Sequence, residues 1–222
     1  MNTETIRTLI VDDHAVVRSG YRSYLEQVPG FQVVAEADCA NEAYAQYKRM
    51  HPDVVIMDIM LQGASGIDAS RRILSNHPGA KILIFSMYVS PVLLQQALNV
   101  GVLGAVGKQC DPDTLREAAI AVASGDRYLD ASMAQSLVFS RYDRGQKIFD
   151  ALSPREFEIF LLLISGAPVK EIAQALNLSA KTVANRASMI RQKLGVSSDI
   201  QLVKLAVAAD IVPWIRPDRA TS

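Results

Sequence analysis

Two cysteines in 222 residues, a single tryptophan and no surplus of either charge leave several classes of protein out of reach. Cys39 and Cys110 have neither metal-ligand spacing nor a close histidine, so neither a disulfide framework nor a zinc module is expected; incidental thiols in a reducing cytoplasm are. Half of the residues are hydrophobic, yet no run approaches the roughly eighteen apolar positions of a membrane-spanning helix. The start, Met1-Asn2-Thr3-Glu4, lacks the basic stretch and apolar core of a secretion signal, so a cytoplasmic protein with no membrane partner is expected. Repeats and low-complexity segments are missing as well.

What is present divides in two. The length suits two compact domains, each with its own core. Residues 1–128 hold eleven Lys and Arg against fourteen Asp and Glu, whereas residues 129–222 hold twelve against nine. Within 170–193 five basic side chains (Lys170, Lys181, Arg186, Arg191, Lys193) face one acid, Glu171, so only the back half is suited to a polyanion.

In the front half apolar runs alternate with helical patterns five times. Ile6–Val11, Phe31–Ala35, Val54–Asp58, Lys81–Phe85 and Val102–Gly107 read as strands. Helices over Ala15–Gln27, Asn41–Met50, Ile67–Ser75, Pro91–Val100 and Pro112–Ser124 separate them. This rhythm predicts right-handed crossovers and an α/β, doubly wound, parallel five-stranded sheet. Polar residues then stand at the strand ends: Asp12-Asp13 after the first, Asp58 closing the third, Ser86 after the fourth and Lys108 after the fifth. A parallel sheet gathers all of them at one edge, where such folds place their ligand sites. Asp13 alone could merely cap a helix near Ala15, but the set together points to chemistry.

The chemistry is phosphoryl transfer. Crowded carboxylates repel one another, and a hard divalent cation such as Mg²⁺ relieves the repulsion with oxygen ligands. Asp58 can act as nucleophile and form an acyl phosphate, while Lys108 holds one phosphoryl oxygen and the Ser86 hydroxyl another. His14, His51 and His77 are scattered; the latter two precede proline, and turn roles are expected rather than ligation.

Asp12-Asp13, Asp58, Ser86 and Lys108 at these spacings resemble the receiver domain of two-component response regulators, over residues 1–125 with a flavodoxin-like fold. The resemblance implies Mg²⁺ held by Asp12, Asp13, Asp58 and the main-chain carbonyl of Met60, with phosphoryl supplied to Asp58 by a sensor histidine kinase. Gly66 also matches the family. Two positions depart from it. Ala105 stands three residues before the lysine, where the family usually has Tyr or Phe, and Gln62 stands where it usually has proline. A haloacid-dehalogenase-type phosphatase would need an aspartate at Met60, so an enzyme is not expected.

Residues 126–150 lose the alternation and read as a linker, with a short helix over Ala131–Phe139 and a charged hinge at Arg141–Lys147. A smaller all-α domain is predicted over 151–212, followed by a tail, 213–222, that carries Trp214. Ser153-Pro154-Arg155-Glu156 is a capping box with proline at the first helical position. Helices over Val169–Leu176 and from Ser179 to Leu194 follow across an Asn177-Leu178 turn, and Ser198-Asp199-Ile200-Gln201 opens a last helix through Ala209. This is the layout of a helix-turn-helix, with Val183, Ala187, Ile190 and Leu194 inward on its third helix. Leu-Ser-Pro-Arg-Glu, Val-Lys-Glu-Ile-Ala, Leu-Ser-Ala-Lys-Thr-Val and Lys-Leu-Gly-Val, in that order, resemble the LuxR-type module. Joined to the receiver, the whole resembles the NarL/FixJ class.

That resemblance implies double-stranded promoter DNA as partner, with RNA polymerase as a further contact. Ala184, Asn185 and Ser188 would meet base edges, Asn185 reading adenine in a bidentate way. Lys181, Thr182 and Arg186 would grip phosphates, with Lys170, Ser179, Arg191 and Lys193 beside them. In the family the last helix makes the contact of a homodimer on DNA, here through Leu202, Leu205, Ala206 and Ala209; burial of those residues within the module is the alternative. A receiver serving as a fixed interaction module with constitutive DNA binding is the rival function, and Ala105 favours it.

Overall fold

The computed structural model describes residues 5–61, 65–87, 91–140, 146–209 and 211. Gln62, residues 141–145 of the hinge and the tail with Trp214 lie outside them. The chain divides into two compact units, Met1–Val138 and Phe139–Ser222. Among the described residues no helix is long and apolar enough to cross a membrane.

In the first unit the strands are β1 (Ile6–Val11), β2 (Phe31–Ala37), β3 (Val54–Met57), β4 (Ile82–Ser86), β5 (Gly104–Gly107) and β6 (Tyr128–Leu129). The helices between them are α1 (Ala15–Gln27), α2 (Ala40–Met50), α3 (Gly66–Asn76), α4 (Pro91–Val100) and α5 (Pro112–Ser124); α6 (Ala131–Ser140) follows β6 and carries the chain past the end of this unit. All neighbours in the sheet pair in parallel, in the order β2-β1-β3-β4-β5-β6. Chain order reverses between β1 and β3, which opens the crevice at their carboxyl ends. Every residue of β3 is buried, as an apolar run covered by helices on both faces requires. Leu25 of α1 and Leu115, Ala118, Ala119 and Val122 of α5 close over Ile10, Ile56, Phe85 and Val106 on one face. Alternate strand residues such as Leu9, Val55, Met57 and Ile84 turn to the other face and are equally buried.

The sheet has six strands where the sequence pattern indicates five. β6 comes from the stretch read as linker, and two residues are too short to show any period. Its Tyr128 amide donates to Leu103 O at 3.1 Å, and Gly104 and Ala105 pair with Tyr128 and Leu129. The pairing covers an edge that β5 would otherwise leave with open hydrogen-bonding groups. Gly104 permits the close approach: a Cβ there would lie 2.7 Å from Tyr128 O. Val16, read into the apolar stripe of α1, stands 84% exposed instead, and Tyr21 and Leu25 carry the contact with the sheet.

The second unit holds a 3₁₀ turn over Gln146–Ala151 and helices α7 (Pro154–Ile164), α8 (Val169–Ala175), α9 (Ala180–Lys193) and α10 (Asp199–Ala208). Ser153 and Glu156 form the reciprocal capping box at the start of α7. Phe149, also from the stretch read as linker, is fully buried against Phe157 and Phe160 with ring centroids 6.0 and 5.0 Å away. Arg155 ties α7 to the end of α8: it donates to Glu158 Oε2 at 2.7 Å and to Leu176 O at 2.5 Å, all inside the core. Asn177, at a positive φ of 49°, makes the tight turn into α9.

Candidate functional site

Four strands deliver one side chain each to the crevice. β1 runs into Asp12, β3 into Asp58, β4 ends in Ser86, and β5 leads to Lys108. β3 stops at Met57, but the Asp58 amide still donates to Val11 O at 2.9 Å, so the acceptor's backbone continues the ladder. Gly66 then fixes the acceptor from behind. Its amide donates to Ile59 O at 2.7 Å, and a Cβ on it would fall 1.8 Å from Asp58 O. Only glycine allows the start of α3 to lie on that carbonyl.

The two oxygens of Asp58 have different partners. Oδ1 accepts from Ser86 Oγ at 2.6 Å and from the Met60 amide at 3.2 Å. Oδ2 lies 2.5 Å from Lys108 Nζ, which also reaches Asp12 Oδ2 at 2.6 Å. Asp12, Asp58 and Ser86 are all buried. Burial works against the charge of Lys108, but Asp58 and Asp12 outweigh it and hold the ammonium above its ordinary pKa. Burial raises the pKa of Asp13, partly offset by His14 and reinforced by Asp58 and Asp12.

The donor set fits a divalent cation. Ligand atoms of Asp12, Asp13, His14 and Asp58 all lie within 4.8 Å of one another. Asp13 Oδ1 is sealed from solvent with no hydrogen-bond donor; His14 Nδ1 stands 2.8 Å away without hydrogen-bond alignment. An acceptor-only oxygen left so in a buried pocket suits a cation. Held there, a hard cation would neutralise carboxylate charge and polarise a phosphoryl group.

In the helical unit, the exposed side of α9 carries Lys181, Ala184, Asn185 and Ser188, with Thr182 and Arg186 half-exposed at its flanks; Val183, Ala187 and Ile190 are buried. Ser179 caps the helix, accepting from the Thr182 amide at 3.0 Å, and its hydroxyl sits 2.8 Å from Thr182 Oγ1. Two of the basic residues are tied within the module: Arg191 to Asp199 at 2.8 Å and Lys193 to Glu156 at 2.6 Å. Lys170, Lys181 and Arg186 make no ion pair among the described residues.

Residues 8–120 match the response regulator receiver domain, and residues 150–206 match the bacterial regulatory proteins of the luxR family. The chain is a response regulator. It is 34% identical to response regulator UvrY of Escherichia coli strain K12 over 91% of this chain and 94% of that one. RcsB from Salmonella enterica serovar Typhimurium, solved bound to promoter P1flhDC in the presence of phosphomimetic BeF3−, is 29% identical with a TM-score of 0.63, over 91% of this chain and 98% of that chain. A structure of two RcsB dimers bound to two parallel DNAs, 29% identical with a TM-score of 0.58, covers 92% of this chain and 99% of that chain. The regulator therefore belongs to a class that controls transcription in response to phosphorylation, and not to the enzymes.

On the regulator's last helix the structure places the expected dimer residues by the alternative reading, burial within the module. Leu202, Ala206 and Ala209 are sealed in the module's own core as α10 packs on α7, and Leu205 is only half-exposed. The outward stripe is Ile200, Val203 and Val207, of which Ile200 is 71% and Val207 50% exposed. Both faces of α10 are apolar, so periodicity could not tell them apart. His14, which is not among the expected ligands, sets its ring beside Asp12 and Asp13, an arrangement that sequence spacing does not show. Ala105 is fully buried between Ile84 and Leu129, so no aromatic ring occupies that place in the strand.

Proposed function

We propose that Asp58 accepts a phosphoryl group from a sensor histidine kinase, with Mg²⁺ in the pocket of Asp12, Asp13, Asp58 and the Met60 carbonyl, and that phosphorylation promotes dimerisation and promoter binding. The observation that supports it is the division of labour on Asp58: a hydroxyl and an amide on one oxygen, an ammonium on the other. In the transfer an Asp58 oxygen attacks phosphorus, the P–N bond to the donor imidazole breaks, and that nitrogen keeps the electron pair. Lys108 passes from the Asp58 carboxylate to a phosphoryl oxygen, and the Ser86 hydroxyl turns to another. Each exchange keeps its hydrogen bonds while the partners move, which biases a two-state element.

On DNA, α9 enters the major groove with Asn185 bidentate to adenine, Ser188 on a neighbouring base and Ala184 limited to apolar contact. Lys181, Thr182 and Arg186 hold phosphates, with Lys170, Ser179 and Arg191 flanking; Lys193 is engaged by Glu156 and contributes less. The dimer contact is the stripe of Ile200, Val203 and Val207. RcsB, solved as dimers on DNA and on a promoter with a phosphomimetic, supports this reading. Promoter DNA as ligand also sets the cytoplasm as the place of action, where RNA polymerase is available as a contact.

Incubation with acetyl phosphate and Mg²⁺, followed by phosphate-affinity electrophoresis and promoter titration, is the test. The parent should be labelled and bind more tightly, and Asp58→Ala should do neither. Equal labelling of Asp58→Ala would overturn the acceptor assignment. Labelling without any gain in dimer or affinity would select the rival, a receiver that serves as a fixed interaction module; the buried Ala105, which offers no ring to swing, is the observation in its favour.

A further inference from the structure

The acidic pocket contains a nitrogen. His14 follows the two carboxylates that end β1, and its own amide donates to Asp12 Oδ1 at 2.9 Å, so the turn holds the residue over the pocket. The ring is 68% exposed on its outer side, while Nδ1 lies 2.8 Å from Asp13 Oδ1 and 3.4 Å from Asp12 Oδ1. Adjacent ligands of an octahedral ion with bonds near 2.1 Å are separated by about 3.0 Å, so these spacings bracket one edge of a coordination polyhedron. The two spacings meet at His14 Nδ1, and the shorter ends on Asp13 Oδ1, the buried oxygen without a hydrogen bond. Lys108 engages different oxygens, Asp12 Oδ2 and Asp58 Oδ2, and leaves the Oδ1 atoms that face His14 to other partners.

We propose that His14 Nδ1 is a further ligand of the divalent cation, which makes the pocket a mixed nitrogen and oxygen site suited to a first-row transition ion such as Mn²⁺ as well as to Mg²⁺. Carboxylate and water oxygens suit Mg²⁺, whereas imidazole adds affinity for transition ions. His14 takes a position that water would otherwise fill. The inference rests on the cation-dependent reading above, and its test separates the two.

Titration of the full chain with Mn²⁺ and, separately, Mg²⁺ at about pH 8, where an ordinary imidazole is neutral, is compared between the parent, His14→Ala and Asp13→Asn. The exposed His14 ring makes His14→Ala a mild change for folding. His14→Ala should weaken Mn²⁺ about tenfold and Mg²⁺ less than threefold. Pulsed electron paramagnetic resonance of the Mn²⁺-loaded parent should show nitrogen coupling that His14→Ala abolishes. A ring acting only as a counter-ion would give the opposite result, because its removal would leave both affinities unchanged or raised, with no nitrogen coupling in the parent. That outcome overturns the inference and leaves the cation pocket intact. A parent that binds neither ion, no better than Asp13→Asn, would overturn both.

Discussion

Lys108→Met is the most exacting test of the pocket. The substitution keeps most of the apolar stem and removes the ammonium that spans Asp12 and Asp58, whose side chains are each 5% exposed. Removing one partner of a buried pair leaves uncompensated charge and costs about 3–5 kcal/mol. For a unit of this size that corresponds to a fall of roughly 10–20 °C in its melting temperature. Because the partners raise the pKa of Lys108, the lost stability is fully present below the ordinary lysine value of about 10.4 and fades as pH rises through the higher folded value. The gap between parent and variant should thus be flat across neutral pH and close only in strong alkali. Mg²⁺ should narrow it, since the variant's carboxylates have lost the competing ammonium and bind the cation more tightly than the parent's, and a tenfold tighter site adds about 1.4 kcal/mol at saturation. Differential scanning calorimetry, which can separate the transitions of the two units, with and without Mg²⁺ is the assay. A gap below about 1 kcal/mol, or one that Mg²⁺ leaves untouched, would refute the reasoning.

Four further outcomes are expected. Gly66→Ala should destabilise the receiver by more than about 3 kcal/mol and abolish labelling at Asp58, because its Cβ meets the Asp58 carbonyl at 1.8 Å and backbone cannot yield cheaply; calorimetry and acetyl phosphate check it. Asn185→Ala should cost about 1–3 kcal/mol on a cognate site and relax one base position, whereas Lys181→Ala should weaken all sequences alike and lower the salt slope by about one, as read by fluorescence anisotropy at several salt concentrations. Ile200→Asp with Val207→Asp should abolish paired occupancy of two half-sites on gels while circular dichroism stays unchanged, since both side chains point outward. Burial opposes the charge of Glu156, but hydrogen bonds from Lys193 and Ser153 prevail and lower its pKa. Its contribution is therefore present above the ordinary carboxylate value and lost as pH falls through the lower folded one, so an acid titration of Lys193→Ala should show a shallower loss.

Much of the site was legible because a strand's end is legible. Asp12, Asp58, Ser86 and Lys108 each follow an apolar run, and parallel crossovers leave such residues nowhere to go but one edge. Gly66 was recognisable by family resemblance, but its reason, a carbonyl at the place of its missing Cβ, appears only in the packed loop. β6 was not legible: a two-residue strand has no period, and it exists only because β5 offers it an edge. Nor was the direction of α10, where Leu202 and Ala206 or Ile200 and Val207 could equally have formed the inner stripe.

Chain chemistry alone thus determined the alternating units, the capped helices and the set of polar residues at the sheet's rim, because hydrophobic period and caps act over a few residues. Tertiary packing decided which oxygen of Asp58 meets Lys108, which face of α10 stays wet, and that His14 reaches the carboxylates beside it. Those outcomes depend on contacts between segments far apart in the chain or on the exact course of a turn, and free energy at that scale is set by which surfaces meet.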